Sequence, residues 1–242
     1  KSTTTPPPDA RVISAGFANV AISKAPAPGA ADALQDWASE QPFDLFGVVE
    51  CSTSQLEHIR SWQNWHTVHA EPENLSADGI ALFSMHPIRS VKIARAQNAR
   101  LDHLTAIVDA PRGTFQVELT HPCPPVPGWL HQRRAELNQI STAATSSKWP
   151  VVVLGDLNET PYGASWRRLL KTSGLSAAGP LGTPTWPSQL KGVPVPQCLG
   201  IRIDHILVGP EWEAGPLKVG PKITSDHRPI RVEIWLGDQE ET

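Results

Sequence analysis

The sequence predicts an α+β protein in the form of a four-layer α/β/β/α sandwich, with two packed, mostly antiparallel sheets inside and helices outside. One observation behind this is that strand and helix patterns interleave along the chain without forming strict βαβ units. The second is the composition of the 242 residues, of which 40% are hydrophobic and 19% charged. That length and balance are typical of one large domain with a sizeable core.

Charge, apolar runs and cysteines narrow the class of protein. The formal net charge is −3, which excludes the strong positive excess of a nonspecific nucleic-acid coat but allows a groove with local positive charge. No apolar run reaches the roughly 18 residues of a membrane span, so none is expected within the chain. Cys51, Cys123 and Cys198 lack metal-site spacing, and one disulfide is allowed but not implied.

The predicted domain organisation is simple. Residues 1–10 are rich in Thr and Pro and are predicted to be a linker or tail, residues 11–238 the folded domain, and residues 239–242 a second tail. The chain begins at Lys1 and shows no signal peptide, so we expect an excised or processed domain.

The first half of the domain is predicted to alternate between strands and helices. The patterns indicate a strand at 11–20, a helix at 30–39, a strand at 44–50, a helix after the capping box of Ser52 and Gln55, and a strand at 79–84. Asn19 lies near the end of the first strand, where a plain turn role is the alternative. Glu50 closes the second strand, which places it either at a solvent edge or in a site.

The second half continues this pattern. The predicted elements are a strand at 114–120, a helix with Leu130, Arg134, Leu137 and Ile140 on one face, a strand at 151–154, a helix capped at Thr160, a long loop at 175–199, and strands at 201–208 and 228–236. The strand at 114–120 alternates polar and apolar residues, so it is predicted to be half-buried; His121 follows it, and a lone His is usually structural. Asp204 lies in the middle of a predicted strand and needs a partner there.

The most informative stretch is the aliphatic run Val151–Leu154, which leads into Gly155-Asp156-Leu157-Asn158. Such a run predicts a strand buried on both faces, after which Gly155 lets the backbone turn. Side chains i and i+2 of an extended backbone point the same way, so Asp156 and Asn158 face one spot. The carboxylate can orient a water and the amide can donate to a phosphate oxygen. A turn without further role is the alternative interpretation.

Polar residues collect at the predicted strand ends, which gather at one rim of a two-sheet sandwich. They are Asn19, Glu50, His121, Asp156, Asn158, Asp226 and His227, with Asp204 projecting from a strand. Carboxylate and amide oxygens are hard ligands, and the Cys/His spacing of a zinc site is missing from the sequence. The set therefore predicts Mg²⁺ or Mn²⁺ as the cofactor.

Three motifs in this order resemble the endonuclease/exonuclease/phosphatase superfamily, whose fold is deoxyribonuclease-I-like. They are Gly155-Asp156-Leu157-Asn158, Ile203-Asp204-His205-Ile206 and Ser225-Asp226-His227-Arg228-Pro229. Asn19 and Glu50 fall where that family keeps an Asn and a metal-binding Glu, and the resemblance covers residues 11 to 236.

The resemblance implies a role for each residue around the metal and the water. Glu50 would bind the divalent metal, with Asn19 and Asp226 nearby. Asp156 would orient or deprotonate the attacking water, and Asn158 would donate to the phosphate. The reaction would be in-line attack of water at phosphorus, with the metal neutralising the growing oxyanion charge.

The histidines also receive roles from the resemblance. His227 would act as a base or hold the phosphoryl charge, and Asp204 would fix its tautomer and orientation. His121 matches a second family histidine that contacts the phosphate, and we expect Asp78 to orient it.

The chain departs from the family at two positions. Val49 stands where the family commonly has Gln before the metal-binding Glu, so one polar contact near the metal is missing. His121 stands where the abasic-site endonuclease branch usually carries Tyr, which points away from abasic-site repair. The run from Thr120 to Pro125 resembles bacterial members whose catalytic domain follows membrane helices, so a periplasmic or extracellular location is expected.

The expected function is a Mg/Mn-dependent phosphodiesterase, a nuclease that hydrolyses DNA as a monomer. The alternatives are a lipid or small-molecule phosphodiesterase or phosphatase, sphingomyelinase-like or inositol-phosphatase-like, and a binding module that kept the fold. Trp186 in the long loop and Arg95 in the basic stretch 89–100 are expected to contact the substrate. Alternatively, Trp186 simply covers the core and the basic stretch is a solvated strand pair.

Overall fold

The structure is a computed structural model that describes residues 5–8, 10–20, 30–71, 79–100, 102–111, 113–191 and 193–237, with the backbone alone at 30–32 and 67–71. The predicted tail at 239–242 and Asp78 lie outside the described residues, as do residues 1–4 and 9 of the predicted linker.

Within those residues the chain forms fifteen strands and four α-helices. The strands are β1 (Ile13–Asn19), β2 (Leu45–Val49), β3 (Thr67–Glu71), β4 (Ile80–Ser84), β5 (Ile88–Ala94), β6 (His103–Ala110), β7 (Gly113–Thr120), β8 (Val151–Asp156), β9 (Ser176–Ala177), β10 (Gln189–Leu190), β11 (Val193–Pro194), β12 (Asp204–Val208), β13 (Trp212–Ala214), β14 (Lys218–Val219) and β15 (Ile230–Leu236). The helices are α1 (Ala30–Glu40), α2 (Thr53–Arg60), α3 (Leu130–Ser146) and α4 (Ala164–Ser173), and a short 3₁₀ helix covers Gln197–Leu199.

The strands form two large sheets and one small hairpin. One sheet has the order β13-β15-β1-β2-β4-β3, with β14 also on β15, and the other has the order β5-β6-β7-β8-β12-β9. The pairs β1–β2 and β7–β8 are parallel, whereas the other described pairs are antiparallel. The predicted sandwich of two mostly antiparallel sheets is confirmed.

Three apolar layers hold the sandwich together. The central layer joins the inner faces of both sheets, and it includes Leu45 and Ile230 from one sheet and Leu119 and Leu154 from the other. The two outer layers are formed where α1 and α2 cover one sheet and where α3 and α4 cover the other. Because each buried Leu or Ile contributes about 1.5–3 kcal/mol, these layers dominate the stability of the fold.

The two parallel pairs explain why the predicted site residues converge. Asn19 lies beside Val49 in the β1–β2 register. Asn19 and Glu50, the residue after Val49, therefore leave the sheet at the same edge. In the same way β7 and β8 end together, with Thr120 beside Gly155. Strand β12 begins at Asp204, directly opposite Asp156.

Two predictions about burial were wrong. Strand β7 is not half-buried, because its polar residues Gln116 and Glu118 are buried beneath α3. The register of α3 also differs from the prediction, since Leu130 is 58% exposed and Arg134 is exposed. Arg133 is buried instead, because its guanidinium holds backbone carbonyls and Glu159 rather than facing water.

Two predicted boundaries were also wrong. Helix α4 begins at Ala164 rather than at Thr160, since residues 160–163 form a turn in which the Gly163 N–H donates to the Thr160 carbonyl at 3.1 Å. Strand β12 begins at Asp204 rather than at Ile201, which pairs with Trp186 of the long loop. Gly174 ends α4 in the left-handed conformation, as predicted.

All three cysteines are free thiols. Over the residues that the structure describes, none of the helices has the length and apolar character needed to span a bilayer.

Candidate active site

Asp156 ends β8 and lies at the centre of the converging residues. It is 1% exposed, and its Oδ1 accepts the backbone N–H of Asn158 at 2.9 Å. Its Oδ2 accepts from Asn19 Nδ2 at 3.1 Å and lies 3.6 Å from His121 Nε2 and 3.7 Å from His227 Nε2. One carboxylate oxygen is therefore surrounded by three donor groups from three different strand ends.

Glu50 provides a second carboxylate beside Asp156. Its Oε1 accepts the other N–H of the Asn19 amide at 3.0 Å and lies 3.6 Å from His121 Nε2. Its backbone φ is +55°, and that of Asn158 is +48°. Both lie in the left-handed region, which residues other than glycine rarely adopt. Such backbone costs about 1–3 kcal/mol per residue and clusters at functional sites, and here it marks the ends of two strands.

Asp204 and His227 form a buried pair next to Asp156. His227 Nδ1 lies 3.0 and 3.1 Å from the two oxygens of Asp204, which is fully buried. The hydroxyl of Thr185 accepts the Asp204 backbone N–H at 3.2 Å, and that of Ser225 accepts the His227 backbone N–H at 3.0 Å. With Nδ1 held by Asp204, the Nε2 of His227 is the ring nitrogen directed at Asp156.

Charge decides the protonation of His227. Burial lowers the pKa of this imidazole, but the carboxylates of Asp204 and Asp156 outweigh burial and raise the pKa to about 10. His227 is therefore an imidazolium at neutral pH, with a proton on Nε2 to donate. This favours the second of its two predicted roles, holding negative charge, over that of a base.

The pKa of Asp156 is also shifted. Burial raises it most, and the nearby Asp204 raises it further, while His227, His121 and the Asn158 N–H act in the opposite direction. A carboxyl group with a raised pKa accepts a proton from a neighbouring water more readily than an ordinary carboxylate does.

Trp186 and Asp226 lie on the loops that face these strand ends. The Trp186 indole N–H donates to Asp226 Oδ2 at 2.8 Å, and Asp226 Oδ1 lies 3.9 Å from His227 Nε2. Trp186 thus fixes the side chain of Asp226 as well as lining the cleft.

A cleft of about 540 Å³ opens over these groups. Its described lining residues are Glu50, Arg100, His121, Cys123, Pro124, Pro125, Trp129, Asp156, Asn158, Glu159, Thr160, Trp186, Ile201, Ile203 and His227. The Asn158 side chain donates through Nδ2 to the Pro122 carbonyl at 3.1 Å, which leaves its second N–H for a ligand. Arg95 does not belong to this lining and instead pairs with Asp102 at 3.0 Å.

The chemistry of the donors fits a hard divalent cation. Ligand atoms of Asp156, Asp204 and His227 lie within 4.8 Å of one another, and the two carboxylates provide oxygen donors. Cys123 is the one thiol in the described lining; burial, with help from Glu136, raises its pKa to about 11, which keeps it protonated. Glu50 and Asp156, bridged by the Asn19 amide, provide carboxylate and amide groups of the kind that Mg²⁺ and Mn²⁺ bind.

Some predictions about the histidines are left open. His121 Nδ1 has no hydrogen-bond partner among the described residues, and Asp78, predicted to orient this ring, lies outside them. His205, which belongs to one of the three family motifs, points away from the cleft. Its Nε2 meets the Glu159 carbonyl at 2.9 Å, its ring packs on Trp166, and burial keeps its pKa well below the usual value.

Three residues that shape the site were not predicted from the sequence. Thr185 bonds to the start of β12, but an isolated Thr in a Pro-rich loop carries no recognisable signal. Arg100 and Trp129 line the cleft, and the basic stretch 89–100 was a signal for Arg100 that the choice of Arg95 overlooked.

The sequence matches a known protein family. The sequence profile described as "Endonuclease/Exonuclease/phosphatase family" matches residues 16–227. No curated protein matches the chain in sequence.

Several solved structures have a similar fold. TDP2 of D. rerio, complexed with single strand DNA product, is 13% identical with a TM-score of 0.77 over 92% of this chain and 98% of that chain. The human Nocturnin catalytic domain with bound sulfate anion is 17% identical with a TM-score of 0.68 over 93% and 95%. A mannosyl-6-phosphatase of Bacteroides thetaiotaomicron is 14% identical with a TM-score of 0.66 over 92% and 99%. At these identities the likeness shows the fold alone.

Proposed function

The chain belongs to the endonuclease/exonuclease/phosphatase family, and we propose that within this family it is a Mg²⁺- or Mn²⁺-dependent phosphodiesterase that hydrolyses DNA. The observation that carries this proposal is the opposition, over one cleft, of the Glu50–Asp156 carboxylates and the His227 imidazolium. Such a site can bind a cation, orient a water and donate protons to phosphoryl oxygens at the same time.

In the proposed reaction Asp156 accepts a hydrogen bond from the attacking water and takes its proton as the water approaches phosphorus. The Nε2–H of His227 and the second amide N–H of Asn158 donate to the phosphoryl oxygens on which negative charge grows. Asp204 keeps the His227 ring oriented and stabilises its positive charge.

The proposed cation site consists of Glu50, Asn19 and Asp226. A divalent cation there would neutralise charge on the phosphate and assist the leaving group. His121, whose Nε2 lies between Glu50 and Asp156, is proposed to contact the phosphate.

Support for DNA as the substrate comes from the similar fold of a TDP2 whose structure holds a single strand DNA product. A small phosphoester is the competing substrate class, because a mannosyl-6-phosphatase shares the fold as well.

The test is a substrate panel with metal and chelator arms. Plasmid, linear duplex and single-stranded DNA, RNA and a lipid phosphodiester are each incubated with Mg²⁺, Mn²⁺ or EDTA, with Asp156→Asn as the matched inactive control. We expect nicking of closed plasmid that EDTA abolishes. Cleavage of the lipid alone, or DNA cleavage that persists in EDTA or in the Asp156→Asn variant, would refute the proposal.

A further inference from the structure

The cleft that holds the catalytic carboxylates is also lined by a guanidinium group. Arg100 is the one Arg or Lys among the described lining residues, and its guanidinium carbon lies 4.2 Å from the centre of the Trp129 ring. Elsewhere in the same basic stretch, the guanidinium groups of Arg89 and Arg95 form salt bridges with the carboxylates of Asp109 and Asp102. Arg100 therefore differs from Arg89 and Arg95 in lining the cleft.

The backbone around Arg100 is held in place. A turn closes when the Ala99 N–H donates to the Ala96 carbonyl at 2.9 Å, and its third residue, Asn98, has a positive φ of +68°, which Asn adopts more readily than most residues. The Arg100 N–H donates to Glu136 Oε1 at 2.8 Å. The other oxygen of this buried carboxylate accepts the Cys123 N–H at 2.7 Å, so one α3 side chain anchors two walls of the cleft.

An Arg that is stacked on a ring keeps the N–H groups at its edge available. A guanidinium held in this way loses little further freedom when it binds a phosphate through two parallel hydrogen bonds. The Trp face stabilises the cation without neutralising it.

The charge distribution of the cleft indicates what Arg100 faces. In the proposed reaction the positive charges of His227 and of the divalent cation serve the scissile phosphate. Arg100 is the one Arg or Lys of the described lining that can then meet an additional anionic group of a substrate. A cleft of about 540 Å³ is also large enough for more than one phosphate group.

We propose that Arg100, positioned by Trp129, binds a second phosphate group of the substrate, next to the phosphodiester that is hydrolysed. This inference rests on the proposed function, since it assumes that the scissile phosphodiester lies at Asp156. The second phosphate is either the neighbouring phosphate of a nucleic acid strand or a terminal phosphate of a small ester.

Dinucleotides that differ by one phosphate provide the test. Thymidine dinucleotide has the scissile phosphodiester alone, and its 5′- and 3′-phosphorylated forms add a second phosphate on either side. Initial rates are measured for the wild-type protein and for Arg100→Ala, Arg100→Lys and Arg89→Ala. The last variant is a matched control, because Arg89 lies over a different ring, that of Trp149, at 5.7 Å.

We expect the wild type to prefer one phosphorylated form by about tenfold or more in kcat/KM, the value of a charged hydrogen bond, mainly through KM. Arg100→Ala should abolish this preference, Arg100→Lys should keep part of it because the charge remains without the planar fork, and Arg89→Ala should keep all of it.

Three outcomes overturn the inference while the proposed function stands. One is hydrolysis of all three dinucleotides by the wild type without preference, and the second is a preference that Arg100→Ala leaves intact. The third is an equal loss on all three substrates in Arg100→Ala, since that is the result of a structural role. If the wild type nicks plasmid but hydrolyses none of the dinucleotides, a second phosphate at Arg100 does not secure binding and the inference alone is overturned. If it cleaves neither plasmid nor dinucleotides, the proposed function is refuted and this inference with it.

Discussion

Two buried histidine–carboxylate pairs, whose carboxylates lie on strands of the same sheet, differ in what they face. His227 and Asp204 meet at the cleft, and His103 and Glu118 meet beneath α3. The exposures are alike, 6% and 3% for the histidines and 0% for both carboxylates. Burial and pairing therefore do not distinguish a functional histidine from a structural one in this fold.

The difference lies in which ring nitrogen the carboxylate occupies. Asp204 takes Nδ1 of His227, so Nε2 is directed at Asp156 and the cleft. Glu118 instead takes Nε2 of His103, and the remaining Nδ1 is buried without a hydrogen-bond partner among the described residues. A pair with an accessible ring nitrogen can exchange protons with a substrate, whereas a pair in which both ring nitrogens are buried can only stabilise the fold.

The surroundings of Glu118 support this structural interpretation. Besides His103, its carboxylate accepts from Thr105 Oγ1 at 2.8 Å and from Gln116 Nε2. The Gln116 amide also donates to the Ala143 carbonyl of α3 at 3.2 Å. The network thus connects β6, β7 and α3, and holds the helix that carries Arg133 and Glu136 against the sheet.

The largest expected effect on activity comes from removing the groups that meet at the cleft. Asp156→Ala and His227→Ala should each lower kcat/KM on a phosphodiester by roughly 10²–10⁴-fold, since each removes a group that moves a proton or holds charge. Circular dichroism and thermal unfolding should show that both variants remain folded. Near-normal turnover in either variant would contradict the roles assigned to these residues.

Removing the carboxylate of the His103–Glu118 pair should lower the stability of the fold rather than the activity. Glu118→Ala leaves three donors without their buried acceptor, and we expect the free energy of unfolding to fall by about 3 kcal/mol or more, at about 1–3 kcal/mol for each group. The measurement is urea unfolding, paired with kcat/KM corrected for the folded fraction. A folded variant that has lost more than about tenfold in corrected kcat/KM would show that the two pairs are not functionally distinct.

A milder change in the His227–Asp204 pair tests the comparison through the pH dependence of activity. Asp204→Asn removes the carboxylate charge that most raises the pKa of His227, so this pKa should fall from about 10 and the imidazolium should be lost at lower pH. We expect about tenfold to a hundredfold lower activity at neutral pH and an alkaline limit of kcat/KM shifted to lower pH. A pH–rate profile of both proteins checks this, and an unchanged alkaline limit would mean that His227 does not act as a cation.

The sign of the corresponding stability effect follows from the same pKa. Because folding raises the pKa of His227 from its usual value of 6.5 to about 10, its contribution is complete below pH 6.5 and is lost as the pH rises towards 10. The wild type should therefore lose more stability than Asp204→Asn between these pH values when both are measured in EDTA.

Much of the site could be predicted because it is built from strand ends. The apolar run before Asp156, Val48 and Val49 before Glu50, and the alternation after His227 are local patterns, and each one locates the end of a strand. The family resemblance drawn from the same motifs is confirmed by the match over residues 16–227. The choice of Arg95 over Arg100 had no such basis, because a run of basic residues does not indicate which one meets a nearby carboxylate in the fold.

What the sequence determined by itself is the strands that carry the site, their polar terminal residues and the hard-ligand character of those residues, since periodicity and side-chain chemistry are local properties. Only the tertiary structure decided that α3 buries Arg133 and Glu136, that Glu118 closes off His103, and that Arg100 faces the cleft. The physical reason is that buried charges are stabilised by partners far along the chain, and those partners are brought together by sheet pairing and helix packing rather than by neighbouring residues.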